Sequence, residues 1–369
     1  MRRRVCQYTQ RATCVDIQRA EEFRRIKSAL GWCRFAGSPT LLEKNVHMMV
    51  SILICTRDRA AALRDTLSSL SRVRVPSGWK VDLLVVDNGS RDGTREVVEA
   101  ARFGFGRARY LVETVPGVAS ARNRGLDAAP GEVLLWTDDD VRLPANWIER
   151  MVEPIRQGRM DAVAGGVGLA FGRERRWMGP CLRSWFASSE GLSVERPGRM
   201  IGANMAFHRR VLTSNVRFDP VLGPGALGMG EETLFSYQIG WHGYVIGSAF
   251  DVVVDHAFDC GRLCPAGLAR LACSMGRSEA YIAHHWHGVD SSAAAWRRLD
   301  ARLRLAYWRG RARFQTQVPP GLLEGELQAL ARVHYWQFLS EIRSSKRKYA
   351  EAALEGERLA GAGASVSAN

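Results

Sequence analysis

The chain has 369 residues, is 46% hydrophobic, and sets 52 Lys and Arg against 38 Asp and Glu for a formal charge of +14. That is enough apolar content for a sizeable core and about two domains, and the charge favours anionic partners: nucleotides, nucleic acid or an anionic membrane surface. Eight cysteines with no repeating spacing exclude a disulfide scaffold, and no run approaches the roughly 18 uninterrupted apolar residues of a membrane-spanning helix.

Residues 1–47 are polar, arginine-rich and weakly periodic, and they lack the apolar segment of a signal peptide. They read as a loose extension, with Met48 or Met49 as alternative natural starts. Strong patterning begins at "HMMVSILICTRDR". Four apolar runs follow: "VSILIC" (50–55), "VDLLVV" (81–86), "ARYLVE" (108–113) and "EVLLW" (132–136). Continuous runs of Val, Ile and Leu suit parallel strands buried on both faces, and Cys55 reads as a small core residue within the first of them. Between the first two, "AALRDTLSSL" places Leu63, Leu67 and Leu70 on one helical face. After the second, "DNGSRDGT" is turn chemistry, with Thr94 as the expected cap of "REVVEAA". After the third, "PGVASARNRGLDAA" reads as a turn and a helix. This alternation predicts an α/β fold, a doubly wound, mostly parallel sheet with helices on both faces.

Further strands are expected at "AGGVGLAFG", at "NMAFH" running into "RRVL", and at "SAFDVVVDHAF", which ends at His256. A glycine-rich, flexible run "GPGALGMG" leads to Glu231-Glu232 and a helix. Residues 48–260 therefore form the catalytic or binding domain. Residues 261–350 form a basic helical extension broken at "VPPG" (318–321), and 351–369 a disordered tail. Residues 262–349 hold fifteen Lys/Arg against six Asp/Glu, a net of +9.

In such sheets ligands bind beyond the carboxyl ends of the strands. Three of the four runs end there in polar groups: Thr56-Arg57-Asp58, Asp87-Asn88 and Asp138-Asp139-Asp140. Three consecutive carboxylates repel one another. A hard cation compensates them, and Mg²⁺ or Mn²⁺ commonly takes one or two carboxylates plus substrate phosphates. No G-x-G-x-x-G follows the first strand and there is no P-loop, which argues against a dehydrogenase or a P-loop nucleotidase. "HAFDCGRLC" and "HHWH" fit no common zinc spacing. Trp286, Trp296, Trp308 and Trp336 lie among arginines, as helix-packing residues or as a membrane or acceptor face.

The blocks "SILICTRDR", "LLVVDNGSRDGT", "PGVASARNRGLDAAPGEVLLWTDDDVRLPANWI", "IGANMAFHRRVL" and "GMGEETLFSYQIGWHGYVI", over about residues 48 to 258, resemble family 2 glycosyltransferases of the GT-A fold. The resemblance implies an inverting transfer of sugar from a nucleotide-diphosphate donor to a hydroxyl acceptor, a glycan or a lipid-linked one. It places Thr56 and Arg57 in the nucleotide pocket, Asp87 and Asn88 at the base or ribose, and Arg122 near the nucleotide. Asp138 is placed at the ribose, Asn204 beside donor sugar and acceptor, and Asp139 or Asp140, with His256, at a Mn²⁺ or Mg²⁺ ion. The family's base is usually the aspartate of a Glu-Asp pair. Here Glu232 takes that place beside Glu231, and either carboxylate is a candidate. Gln238 stands where the block often has an arginine, so a diphosphate contact is missing or comes from elsewhere. The alternative classes are a non-catalytic, degenerate transferase domain and a nucleic-acid binder. The latter is disfavoured because the positive charge concentrates outside the blocks and no RNA-binding signature appears. Cysteine use and the missing leader suggest the cytoplasm, with peripheral contact to an anionic membrane.

Overall fold

The computed structural model describes residues 48–312, 314 and 323–349; the expected extension over 1–47, the break at 318–321 and the tail from 351 lie outside them. Strands form where the apolar runs fall: β1 (Met49–Thr56), β2 (Lys80–Asp87), β3 (Ala108–Val112) and β4 (Val133–Asp138). They pair in parallel, β3 to β2, β2 to β1 and β1 to β4. The connections are α1 (Ala60–Leu70), α2 (Thr94–Ala100) and α3 (Val118–Ala128). Alternate strand residues enter different cores, as the period of a β-strand requires. Ile52, Ile54, Leu83 and Val85 pack with Leu63, Leu67 and Leu70 of α1, whereas Leu53, Leu84 and Trp136 pack with Leu126 of α3. The runs are apolar throughout because both faces of the sheet are covered. Thr94 is not a cap: it is the first residue of α2 behind Gly93, and Asp92 accepts its N–H at 3.2 Å.

The second half completes the sheet with β5 (Val141–Arg142), β6 (Ala162–Leu169), β7 (Asn204–His208) and β8 (Ile246–His256). Between them lie α4 (Trp147–Arg156), α5 (Pro180–Trp185) and α6 (Glu231–Trp241). The order of the eight strands is β3-β2-β1-β4-β7-β6-β8-β5. β7 is antiparallel to both β4 and β6, β5 is antiparallel to β8, and β6 and β8 are parallel. The chain then forms α7 (Pro265–His285), α8 (Ala294–Ala312) and α9 (Glu324–Ile342). The expected α/β sheet with a helical C-terminal extension is present. Two helices, α4 and the short α5, were not expected, although the buried Trp147, Ile148, Met151, Val152 and Ile155 of α4 follow helical spacing.

The C-terminal helices are continuous with the sheet domain. Leu182 and Phe186, Phe258, Leu268 and Leu271 of α7, and Leu327 of α9 form one apolar cluster. Residue 276 must be glycine-sized, because a Cβ there would lie 2.1 Å from the carbonyl oxygen of Ala331. Asp219 ties down the chain beyond α9. Its Oδ2 accepts from Tyr281 and Tyr349, each at 2.9 Å, and Lys348 lies 3.0 Å from its Oδ1. His284 and His285 bond to Ser345 and to the amide of Lys348, so these histidines anchor the chain end.

Asn204 is a structural staple of the sheet. It is fully buried. Its amide donates to the carbonyls of Gly166 at 2.9 Å and Val252 at 2.8 Å, and its oxygen accepts from the Trp147 indole at 2.9 Å. That corrects its expected place beside the donor sugar, since no atom is left for a ligand. Asn204→Ala should leave two buried carbonyls and one indole N–H unpaired, each costing about 1–3 kcal/mol. Chemical denaturation should show a loss of about 3 kcal/mol or more. A loss under about 1 kcal/mol would remove the staple from this account.

Candidate active site

The acidic edge is compensated from within the protein. Asp139 and Asp140 are 4% and 3% exposed. Arg59, at the entrance to α1, places Nη1 2.9 Å from Asp139 Oδ1 and 2.8 Å from Asp140 Oδ2. Thr56 Oγ1 donates to Asp139 Oδ2 at 2.7 Å. His256, at the end of β8, has Nε2 3.2 Å from Asp140 Oδ1 and Nδ1 2.9 Å from the carbonyl of Phe186. Both ring partners are acceptors, so the ring satisfies both only as the imidazolium. Burial opposes that charge, but the bond to Asp140 outweighs it and raises His256. Burial pushes Asp139 up to about 6 despite Arg59. Asp140 resists burial through His256 and Arg59 and stays at about 2.

The three residues expected to hold a divalent cation therefore do not form an open donor set. The oxygens of Asp139 and Asp140 are engaged by Arg59, Thr56 and His256, and His256 presents protons rather than a lone pair. Among the described residues no group of three or more His, Cys, Asp or Glu side chains is arranged to hold a metal ion. Asp138 differs, because its side chain is 34% exposed at the tip of β4.

Other expected contacts are redistributed. Arg57 is half exposed and lies 3.6 Å from its neighbour Asp58, so Arg59 and not Arg57 reaches the acidic edge. Asp87 is buried, and its carboxylate accepts from Tyr110 and from the amide and hydroxyl of Ser90 at 2.8 and 2.6 Å. Asn88 spends its side chain on the following loop. It donates to the carbonyls of Glu113 and Val115 and accepts from the amide of Gly117. That makes it a brace for the start of α3 rather than a free nucleotide contact. Gln238 turns away from the cleft and bonds to the carbonyl of Arg217 at 2.9 Å. Cys55, beneath the site, is kept a neutral thiol by burial, which raises its pKa to about 12.

A second cation centre organises the opposite wall. Arg122 of α3 is 4% exposed. Its Nη1 lies 2.7 Å from Glu231 Oε1 and 3.9 Å from Glu232 Oε2, and its Nη2 lies 3.5 Å from Asp138 Oδ1. Successive helical residues diverge by about 100°, which predicts that only one glutamate faces this point. In the first turn of α6 both side chains bend to the same guanidinium. Burial, then the charge of Glu232 and a hydrogen bond to it, hold Glu231 well above the ordinary carboxylate range against the pull of Arg122. Oε2 of each glutamate is buried and accepts no hydrogen bond from another group, so one proton shared by the pair satisfies both. Glu231 is buried, whereas the Glu232 side chain keeps 19% of its surface open.

The glycine-rich run before α6 is fixed rather than loose. Gly223, Gly225, Gly228 and Gly230 all have positive φ, a region glycine occupies without the steric cost of a Cβ. The carbonyl of Pro224 accepts from Val118 at the start of α3, and the amide of Met229 donates to Ser278 of α7. The loop is clamped between α3 and α7 and delivers both glutamates to Arg122.

Arg262, just after β8, was missed by sequence reasoning. Its guanidinium lies 5.1 and 5.9 Å from the ring centres of Phe186 and Phe258. Among the described residues it makes no side-chain hydrogen bond or ion pair. Burial, then the nearby charge of Arg59, lower its pKa, while Asp140 and Asp138 oppose that. An unpaired cation at the rim of an acidic cleft is set to receive an anion. Nothing in "CGRLC" marks it, because it comes into place only through the turn after β8.

This cleft sits in a recognisable domain. Residues 51–213 match the model of Glycosyl transferase family 2. Through this region the chain is similar to glycosyl transferase family 2. Glycosyltransferase AglE of Haloferax volcanii is 31% identical over 123 residues, 33% of this chain and 40% of that protein. Succinoglycan biosynthesis protein ExoM of Rhizobium meliloti is 31% identical over 139 residues, 36% of this chain and 44% of that protein. The chain thus spans less than half the length of either relative. In backbone it is similar to the mannosyltransferase PcManGT from Pyrobaculum calidifontis in complex with GDP-Man and Mn²⁺. The TM-score is 0.50 at 18% identity, covering 97% of this chain and 90% of that one. That likeness establishes the GT-A fold of this family 2 domain and nothing finer.

Arg59→Met should expose two buried carboxylates to each other. Breaking a buried pair costs about 3–5 kcal/mol, and the 38% exposure of the Arg59 side chain reduces that to about 1–3 kcal/mol. Urea unfolding at neutral pH measures it. A variant as stable as the parent would show that the acidic edge does not need this cation.

Proposed function

We propose that the protein transfers a glycosyl group, with inversion, from a nucleotide-diphosphate sugar to a hydroxyl of a glycan or lipid-linked acceptor. The observation that carries the reading is the pairing of Glu231 and Glu232 on one buried arginine, 2.7 and 3.9 Å from Arg122 Nη1, across from the tip of β4 in a family 2 domain. Glu232, the more open of the two, takes the proton from the acceptor hydroxyl as general base. Protonated Glu231 donates to Glu232 and orients it. Arg122 holds the pair in place. Asp138, at the rim, faces the donor.

The departing diphosphate gains charge as the glycosidic bond breaks, and fixed cations stabilise it best. Arg262, with no anionic partner of its own, and the open side of Arg59 supply them. This provides the diphosphate contact that Gln238 does not. A divalent cation held by Asp138 and the donor phosphates would add Lewis-acid charge at the same oxygens. AglE and ExoM, a named glycosyltransferase and a named succinoglycan biosynthesis protein, support a place in glycan assembly. Among the described residues no helix is long and apolar enough to cross a membrane.

A thermal-shift panel of nucleotide sugars, each with and without Mn²⁺, should single out the donor, because a ligand at 100 times its Kd stabilises by about 2.7 kcal/mol. If no nucleotide or nucleotide sugar shifts the melt, the reading fails. With the donor known, Arg262→Gln should weaken its affinity about tenfold or more. Unchanged affinity would take Arg262 out of the site.

Glu232→Gln should keep donor binding and lose about 10²–10⁴-fold in kcat. Glu231→Gln imitates the protonated partner, so it should retain most of the rate. It should also flatten the dependence of kcat on pH across neutral and mildly alkaline values, where Glu231 ionises in the parent. Arg122 is the other charged group that faces Glu231, and it should modulate that profile. If Glu231→Gln is dead while Glu232→Gln is active, the roles exchange.

A further inference from the structure

The outermost helix, α8, carries two apolar faces. The inner one is conventional: Ala294, Ala301, Leu305 and Ala312 are buried, and Ala301 and Leu305 pack on Ala329 and Val333 of α9. The outer one is open. Trp296, Leu299, Leu303 and Tyr307 are 77, 47, 63 and 60% exposed. Their spacing of three, four and four residues places them on one stripe. At about 100° per residue the stripe lies about half a turn from the buried face. Phe314, two residues past the helix end, is 88% exposed.

Arginines border the stripe on both sides. Arg297, Arg304 and Arg311 recur every seven residues along one margin, and Arg298, Arg302 and Arg309 follow the other. The single acid in α8 is Asp300, paired with Arg304 at 2.8 Å. Contiguous exposed apolar side chains on a helix mark an interaction face, and the two cationic margins identify its partner. A second copy laid stripe to stripe would bring arginine rows together. A nucleic acid would need the cations at the centre, where Leu299 and Leu303 stand.

We propose that α8 is an interfacial helix that lies flat on an anionic lipid bilayer. The stripe enters the boundary between head groups and acyl chains. Arg309 is paired with Glu326 and Arg297 lies over Trp336, whereas Arg298 and Arg302, which pair with no acid among the described residues, reach outward to the phosphates along their own apolar stems. At 19 residues the helix presents a face about 28 Å long, ample for contact in the plane and too polar to cross. Three of the four C-terminal tryptophans have other duties. Trp286 stacks on Tyr237, Trp336 meets Tyr335, and Trp308 packs against the α8–α9 seam. Trp296 alone is left for the bilayer. The inference goes beyond the transfer chemistry and does not depend on it, since it concerns where the protein sits and not what Glu232 does.

Flotation of the full chain with phosphatidylcholine vesicles, with and without one third phosphatidylglycerol, tests it. Binding should require the anionic lipid and weaken with salt. Arg298→Gln and Arg302→Gln should each lower affinity about fivefold. The double variant Leu299→Gln/Leu303→Gln should lower it about tenfold or more while circular dichroism stays unchanged, because both residues are already in water. Equal binding to neutral and anionic vesicles, undiminished binding by the leucine variant, or no binding at all would overturn the proposal. So would a dimer in sedimentation that the leucine variant dissolves without any effect on vesicles.

Discussion

Five carboxylates converge at the carboxyl edge of the sheet, and their mutual repulsion is the constraint around which the site is arranged. Asp138, Asp139 and Asp140 arrive on one strand end, and Glu231 and Glu232 on one helix start. Two arginines and a histidine hold them. Arg59 bridges Asp139 and Asp140, His256 takes the other side of Asp140, and Arg122 joins Asp138 to the glutamate pair. Every one of these compensating groups comes from a different element. The edge can form only after β1, α3, β4, α6 and β8 are assembled, so the cleft and the fold are secured by the same contacts.

That arrangement separates buried, bonded groups from open ones. Asp139 and Asp140 are buried and bonded, and they fix Arg59 and His256. Asp138 and Glu232 retain open surface, and Arg262 retains an unpaired charge. Low dielectric strengthens every interaction among them, which suits the proposed reaction, whose leaving group gathers negative charge. The clamped glycine loop adds to this, because it allows α6 to begin where both glutamates meet Arg122 without a search among loop conformations.

The C-terminal helices are part of the same construction. Ser278 of α7 holds the glycine loop, and Tyr281 shares Asp219 with Tyr349 and Lys348 at the foot of that loop. The layer that braces the glutamate wall on its inner side presents arginines and an apolar stripe on its outer side. Support of the site and the proposed membrane face are therefore built from one helical region.

The sequence by itself determined the strands β1 to β4, the helices α1 and α3, and the strand ends that carry Thr56, Asp87 and Asp138–Asp140. These follow from local rules: apolar runs covered on both faces, helical spacing of Leu63, Leu67 and Leu70, and turn residues after each strand. It also carried the resemblance to glycosyl transferase family 2, because several ordered blocks must all be present to make that match. Only the tertiary structure decided which polar group does what. Arg57 and Arg59 are equivalent in "TRDR" until one is seen to face Asp139. Asn204 looks like a ligand contact until its amide is found between Gly166 and Val252. Glu231 and Glu232 diverge on an ideal helix but converge on Arg122. The physical reason is common to all three: a polar side chain is assigned by the partner that satisfies it, and here the partner lies tens of residues away in the chain.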